Sequence, residues 1–265
     1  MHALLAALTA RRDAASPAVA ELLAALEQAG PELTEMDVQI SSFGGVGSTQ
    51  LSNHLNAYGI TTNLLTDADN LRHCPRPPVY DNTNTASTSG SSGSSHVRRP
   101  RHVVYLYGDP LAAVASHYRR GHACHQAQKT CGQPSCLSPA TFPPSFEEYV
   151  SRGEDLFGLE AHFHNWLTAR LEYPLVMLRY ERMFEPGVAS RLFQLLAGHK
   201  LCAPQLQRMT REFVASHRPR RSQVPAEYYR RMYGSLLAEM DRLPPLLIRG
   251  AGASAPITEA DTQPP

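Results

Sequence analysis

The sequence predicts an α/β fold in which a parallel β-sheet is flanked by helices in three layers. Three observations carry this. Apolar runs of strand length stand at Val38–Ser42, Val103–Tyr107 and Leu175–Tyr180, and the segments between them place apolar residues at helical spacing. Strands that alternate with helices imply βαβ units and therefore parallel pairing. Hydrophobic residues make up 42% of the 265 residues and charged residues 18%, a globular composition.

Taken in order, residues 1–36 read as a helical N-terminal extension. Ser16 and Pro17 supply an N-cap and a first helical residue, Val19, Leu22, Leu23 and Leu26 share a face, and Gly30-Pro31 stops the helix. A single α/β domain is expected over 37–248. It starts with strand Val38–Ser42, a glycine-rich turn at Phe43–Thr49 and a helix from Ser48 to Tyr58, on which Leu51 and Leu55 align. A second short strand is expected near Thr62–Leu65. An insertion follows at 76–100, where Asn82–Ser95 contains only Asn, Thr, Ser, Gly and one Ala and reads as a disordered excursion. Strand Val103–Tyr107 then leads into Gly108-Asp109-Pro110, with Asp109 as N-cap and Pro110 opening a helix that ends at Arg119-Arg120-Gly121. Residues 121–145 hold three of the five Cys, two His and four Pro and read as a second surface insertion. Helices are expected at Phe146–Arg152, Glu160–Leu171, Ala189–Leu196, Leu206–Ser216 and Ala226–Leu243, and a disordered tail at 249–265.

Charge excludes some functions. The formal net charge is +1, from 25 basic and 24 acidic residues, which argues against bulk binding to nucleic acid. All the basic residues except Lys129 and Lys200 are Arg, so a bound phosphate would be held mainly by guanidinium groups and backbone amides. No apolar run approaches the ~20 residues that span a bilayer. Arg11 and Arg12 follow the apolar patch Leu4–Leu8, the reverse of a secretory signal, and Asp13, Glu21 and Glu27 count against an organellar leader. A cytoplasmic location is expected. An odd number of cysteines without a C-x-x-C pair fits a reducing compartment. His122, Cys124, His125, Cys131 and Cys136 give the spacing C-x6-C-x4-C, which matches no common zinc pattern, so no metal is expected.

The sharpest motif is the turn after the first strand. Gly44, Gly45 and Gly47 let backbone amides converge on a helix N-terminus, whose dipole favours an anion, and Ser48 and Thr49 add hydroxyls. The run falls short of a Walker A loop because Gly47 is followed by Ser48, with no Lys.

This turn, with three later segments, resembles the PAPS-dependent sulfotransferase family, in which PAPS is 3′-phosphoadenosine 5′-phosphosulfate. Phe43–Thr49 matches the family's loop Y-P-K-S-G-T-T-W, and Gly108–Ser116 its R-[DN]-P-x-D-x-x-x-S segment. Leu71–Pro75 resembles K-x-H-x-P. His162–Trp166 and Leu175–Glu181 resemble H-x-x-x-W followed by a strand and [KR]-Y-E-D. The resemblance implies a P-loop NTPase-like fold and transfer of a sulfuryl group from PAPS, without metal, to a hydroxyl or amine on a small-molecule or glycan acceptor. It implies that Gly44, Gly45, Val46, Gly47, Ser48 and Thr49 hold the 5′-phosphosulfate, that Ser116 holds the 3′-phosphate, and that His73 is the catalytic base. Two positions depart from the pattern: Gly45 stands where the family has Lys, and Gly108 where it has Arg. Arg119 and Arg120, three and four residues after Ser116, are expected to supply the missing charge, with Arg72 or the Arg218-Arg220-Arg221 cluster as other sources. A P-loop kinase or NTPase, disfavoured by the missing Lys, and a non-catalytic nucleotide-binding module stay open as alternatives. Oligomeric state is not legible.

Overall fold

The structure is a computed structural model that describes residues 36–66, 71–80, 85–86, 97–98, 100–131, 137–218 and 226–250. The expected N-terminal helix, most of the Asn82–Ser95 tract and the tail beyond 250 lie outside the described residues.

The strands are β1 (Val38–Ser42), β2 (Thr85–Ala86), β3 (Val97–Arg98), β4 (His102–Tyr107), β5 (Leu175–Arg179) and β6 (Leu246–Arg249). Four of them form one open, mostly parallel sheet in the order β1-β4-β5-β6. β1 runs parallel to β4, with Ile40 opposite Val104, and β4 parallel to β5, with Tyr105 opposite Met177. β6 returns antiparallel to β5, with Met177 opposite Leu247. Thus the expected α/β class is present, but the sheet is not wholly parallel. The chain reaches β6 from α9 through Pro244-Pro245, and the Pro245 carbonyl accepts from the Arg179 N–H at 2.9 Å. β6 also corrects the expected domain end. Arg249 is buried, and its guanidinium donates to the carbonyls of Trp166 at 3.0 Å and Ala169 at 2.7 Å, so it belongs to the domain and not to a tail. Within the first insertion, β2 and β3 form a separate antiparallel pair.

The helices are α1 (Ser48–Ala57), α2 (Asn63–Thr66), α3 (Pro110–Arg119), α4 (Ala123–Thr130), α5 (Phe146–Arg152), α6 (Leu159–Thr168), α7 (Pro186–Ala197), α8 (Ala203–Ala215) and α9 (Ala226–Arg242). Among the described residues no helix is long and apolar enough to cross a membrane. Side chains alternate across a strand, so Gln39, Tyr105 and Tyr107 share a face of the sheet. On that face Tyr105 stacks on Trp166 of α6 with centroids 4.8 Å apart, and Tyr107 meets Phe163 edge-on at 5.2 Å. At the far end of α1, His54 packs between Phe193 of α7 and Phe213 of α8, tying three helices together.

The outer edge of β1 differs from expectation in an instructive way. Instead of a strand at Thr62–Leu65 there is one bridge, from Val38 to Thr62, and then α2 begins. The amide side chain of Asn63 takes the place of strand backbone: its Oδ1 accepts from the Ile40 N–H at 2.9 Å and its Nδ2 donates to the Ile40 carbonyl at 3.1 Å. Further along, Ser42 N–H donates to the Arg72 carbonyl at 2.7 Å. The chain therefore leaves β1 toward Thr62 on one side and later returns to β4 on the other. That reversal places the carboxyl end of β1 at a topological switch point, where open α/β sheets bind ligands.

Asn63→Ala strands a buried N–H and a buried C=O on Ile40. Unfolding in urea is expected to show a loss of about 1–3 kcal/mol. An unchanged midpoint would mean that β1 does not depend on the amide.

Candidate functional site

β1 ends at Ser42, and the chain turns through Gly44, Gly45 and Gly47 at φ of 84°, 71° and 80°. These left-handed values are open to glycine at little cost. Packing requires glycine at the same positions. A Cβ on Gly45 would lie 2.7 Å from the Cα of Ala113 in α3, and one on Gly44 would lie 2.7 Å from Nε2 of His117. A Cβ on Gly47 would lie 2.5 Å from the ring of Tyr180. The loop is wedged between α3 and Tyr180: Gly45 meets the α3 backbone at Ala113, and Gly44 and Gly47 meet the side chains of His117 and Tyr180. Gly47 is also the N-cap of α1 and offers no side-chain cap. The N–H groups from Gly45 to Gln50 have no acceptor among the described residues, the state in which a helix N-terminus receives an anion.

The segment after α2 is fixed to the end of β1. The Ser41 hydroxyl donates to the Leu71 carbonyl at 2.5 Å, and Nδ1 of His73 lies 2.9 Å from the Ser42 carbonyl. A carbonyl only accepts, so Nδ1 carries the proton, and Nε2 is the basic nitrogen of the neutral ring. Arg72 reaches over the loop and donates to the Thr49 hydroxyl at 2.8 Å.

Behind the loop, Asp109 caps α3 as its sequence suggests: its carboxylate accepts from the Ala112 N–H at 2.9 Å. Its own N–H donates to Glu181 at 2.7 Å, and a Cβ on Gly108 would lie 2.7 Å from the same carboxylate. Ser116 is buried one turn before the end of α3. Arg120 folds back so that Nε donates to the Ser116 carbonyl at 3.0 Å, and a terminal nitrogen donates to Nδ1 of His117 at 3.2 Å.

These pieces enclose an open cavity of about 870 Å³. Of the sequence-predicted residues, Gly44, Gly45, Gly47, Ser48, Thr49, His73, Ser116 and Arg120 line it. Two do not. Val46 is turned into the core at 2% exposure, because the loop must bury one apolar side chain to hold its turn. Arg119 and Arg120 are both exposed, but only Arg120, one helical step round, is among the residues that line the cavity. Arg218 is exposed and donates to nearby carbonyls, while Arg220 and Arg221 lie outside the described residues.

Sequence reading missed one wall. The stretch read as a surface insertion contains α4, whose Ala123, Gln126, Ala127 and Thr130 are buried. His122, His125, Gln126 and Lys129 recur at i, i+3, i+4 and i+7 and line the cavity. That spacing was the available signal, hidden among cysteines and prolines. No group of His, Cys, Asp or Glu arranged to hold a metal is found among the described residues.

The electrostatics are one-sided. Arg72, Arg120 and Lys129 line the cavity, and no Asp or Glu is among its described lining residues. Two deep histidines stay neutral at physiological pH. Burial lowers His117 to about 3, with help from the charges of Arg120, His122 and His73. Burial likewise lowers His162 to about 3, and its Nδ1 shares a hydrogen bond of 2.9 Å with the Tyr105 hydroxyl.

The chain matches no family model, no curated protein and no solved structure.

Because both rings titrate lower in the fold than their ordinary 6.5, the unfolded chain binds more protons between pH 6.5 and 3. Stability is therefore full above that window and falls as pH drops through it, by about 1.4 kcal/mol per pH unit for each histidine. His162→Gln is expected to shrink the loss of urea stability between pH 7 and 4.5. An equal loss in the variant would show that His162 does not drive acid unfolding.

Proposed function

We propose that the protein is a sulfotransferase that moves a sulfuryl group from PAPS to an acceptor hydroxyl or amine. The reading rests on one observation: three of the sequence segments that resemble the family, far apart in the chain, converge on a single cavity at the switch point of the sheet, with no carboxylate among its described lining residues. The residues fit such a co-substrate. The amides from Gly45 to Thr49, with the Ser48 and Thr49 hydroxyls, can accept the phosphosulfate at the N-terminus of α1. The hydroxyl of Ser116 and the guanidinium of Arg120 can take the 3′-phosphate. Where the family pattern has Lys, the close approach of Gly45 to Ala113 leaves no room for a side chain, and the place of the pattern's Arg is filled by Glu181. Arg120 and Arg72 are the cations that replace them.

In the reaction, His73 Nε2 takes the acceptor's proton as the acceptor oxygen or nitrogen bonds to sulfur. The bond from sulfur to the bridging oxygen breaks, and the electron pair leaves with the phosphate of 3′-phosphoadenosine 5′-phosphate (PAP). Loop amides and Arg72 face the charge that develops there, a preorganised field that lowers the barrier. The chemistry asks for no Mg²⁺.

Calorimetric titration with PAP and, separately, with ATP–Mg²⁺ tests the reading. PAP is expected to bind and ATP–Mg²⁺ to bind weakly or not at all; the reverse would move the protein to the nucleoside-triphosphate enzymes. Arg120→Ala is expected to weaken PAP binding ten- to a hundredfold, about 1.5–3 kcal/mol for a charge-assisted contact. Arg119→Ala should stay within twofold. Equal effects of the two would detach Arg120 from the phosphate.

His73→Ala is expected to lower kcat by roughly 10²–10⁴-fold and leave PAP affinity nearly intact. Unchanged turnover in that variant would assign the proton to another group.

A further inference from the structure

We propose that the α4 wall of the cavity is the acceptor subsite, and that it selects a hydrophilic, hydroxyl-bearing acceptor that carries an anionic group, such as an acidic sugar. The inference rests on the sulfuryl-transfer reading above and concerns its second substrate.

The lining carries the argument. Apart from the glycines, Ala57 is the one hydrocarbon side chain among the described lining residues. No Val, Leu, Ile, Met, Phe, Tyr or Trp is among them. A phenol or a sterol gains affinity by removing apolar area from water against apolar walls, on the order of 25 cal/mol per Å². Here it would instead strip water from imidazoles, amides and ammonium groups without returning their hydrogen bonds. A polyhydroxylated acceptor returns them.

The charge on the wall is also placed. α4 turns Ala123, Ala127 and Thr130 into the core and presents His122, His125, Gln126 and Lys129 to the cavity. The helix is pinned at its middle and at its C-terminal end. The Thr130 hydroxyl donates to the Phe157 carbonyl at 2.8 Å, and Gln126 Nε2 donates to the carbonyl of Phe43, directly before the glycine loop, at 3.3 Å. The wall is thereby held beside the loop that would carry the sulfuryl group, with His73 in the same cavity. The loop amides, Ser116 and Arg120 account for the two phosphorylated ends of PAPS. Lys129, one of only two lysines in the chain, lines the cavity from α4, a different element from those that carry these groups, and its ammonium group favours a second anion.

The test offers labelled PAPS with three acceptors: a glucuronate-containing disaccharide, the same disaccharide with its carboxylate reduced to the alcohol, and 4-nitrophenol. The acidic disaccharide is expected to react with a kcat/KM at least tenfold above either of the others. Lys129→Ala should cut that preference at least fivefold through KM, with PAP affinity by calorimetry within twofold of the parent and the thermal midpoint unchanged. Equal or better transfer to the neutral sugar or the phenol overturns the acceptor assignment, as does a preference that survives Lys129→Ala. PAP binding with transfer to none of the three overturns it as well. Failure of the parent to bind PAP at all is a different result: it removes the sulfuryl-transfer reading, and the acceptor subsite with it.

Discussion

The approach of the glycine loop to α3 is the constraint from which the rest of the site follows. Gly45 lies so close to Ala113 that even a methyl group would meet backbone, and Gly44 and Gly47 are pressed as tightly against His117 and Tyr180. The Gly45 contact brings two main chains together without an intervening side chain, and the positive φ at all three glycines adds a second reason for their identity. The consequence is chemical as well as structural. A loop with no side chain at 45 carries no lysine there, so the loop itself offers an anion amides and two hydroxyls. Any fixed positive charge must reach the cavity from other elements.

The structure supplies that charge by keeping acidic groups elsewhere. The carboxylates nearest the site are already committed to protein donors. Asp109 caps α3, Glu181 accepts from the Asp109 N–H and from Arg179, and Glu212 accepts from the Tyr58 hydroxyl at 2.6 Å. Each of these bonds ties a negative charge to backbone or a neighbouring side chain, and none of the three residues lines the cavity. A near-neutral protein can thus present a positive cavity, because local field depends on where charges stand and not on their sum. Arg120 shows how the position is held: its own helix carbonyl and a neutral imidazole tie the exposed guanidinium back against the cavity, whereas a protonated His117 would repel it.

Much of this was legible in the sequence, and for reasons that depend on local patterns. β1, the glycine turn and α1 follow one another within a few residues, so periodicity and glycine spacing find them. Asp109-Pro110 announces the start of α3, and Ser116 was singled out by the resemblance of Gly108–Ser116 to the family segment. What sequence reading lost was tertiary. Nothing local distinguishes Arg119 from Arg120, since only the rotation of α3 against the loop decides which one turns inward. The second strand was expected at Thr62–Leu65, but Asn63 completes the ladder with a side chain that mimics backbone. α4 was obscured by the cysteines and prolines around it, although its buried alanines and polar face keep helical spacing. β6 is short and lies against a strand that sequence places far upstream, so its pairing had no local sign.

His73 joins these threads. It belongs to a segment of weak secondary structure, the part of a chain where side-chain position is usually least determined. Here the backbone of that segment runs alongside the end of β1, accepting from the Ser41 hydroxyl and the Ser42 N–H, while the imidazole itself donates to the Ser42 carbonyl. The ring is oriented by the last residue of the strand that also launches the loop. The proposed base and the proposed anion cradle thus share a single anchor, Ser42, whose hydroxyl in turn accepts from the Gly44 N–H at 3.1 Å. A shift of β1 would move both together, so their spacing is preserved by covalent continuity and a few short hydrogen bonds, with no need for a rigid element on the His73 side. This is how a site can be built at the switch point of a small sheet: the strand end fixes the geometry, and the surrounding helices supply the charge.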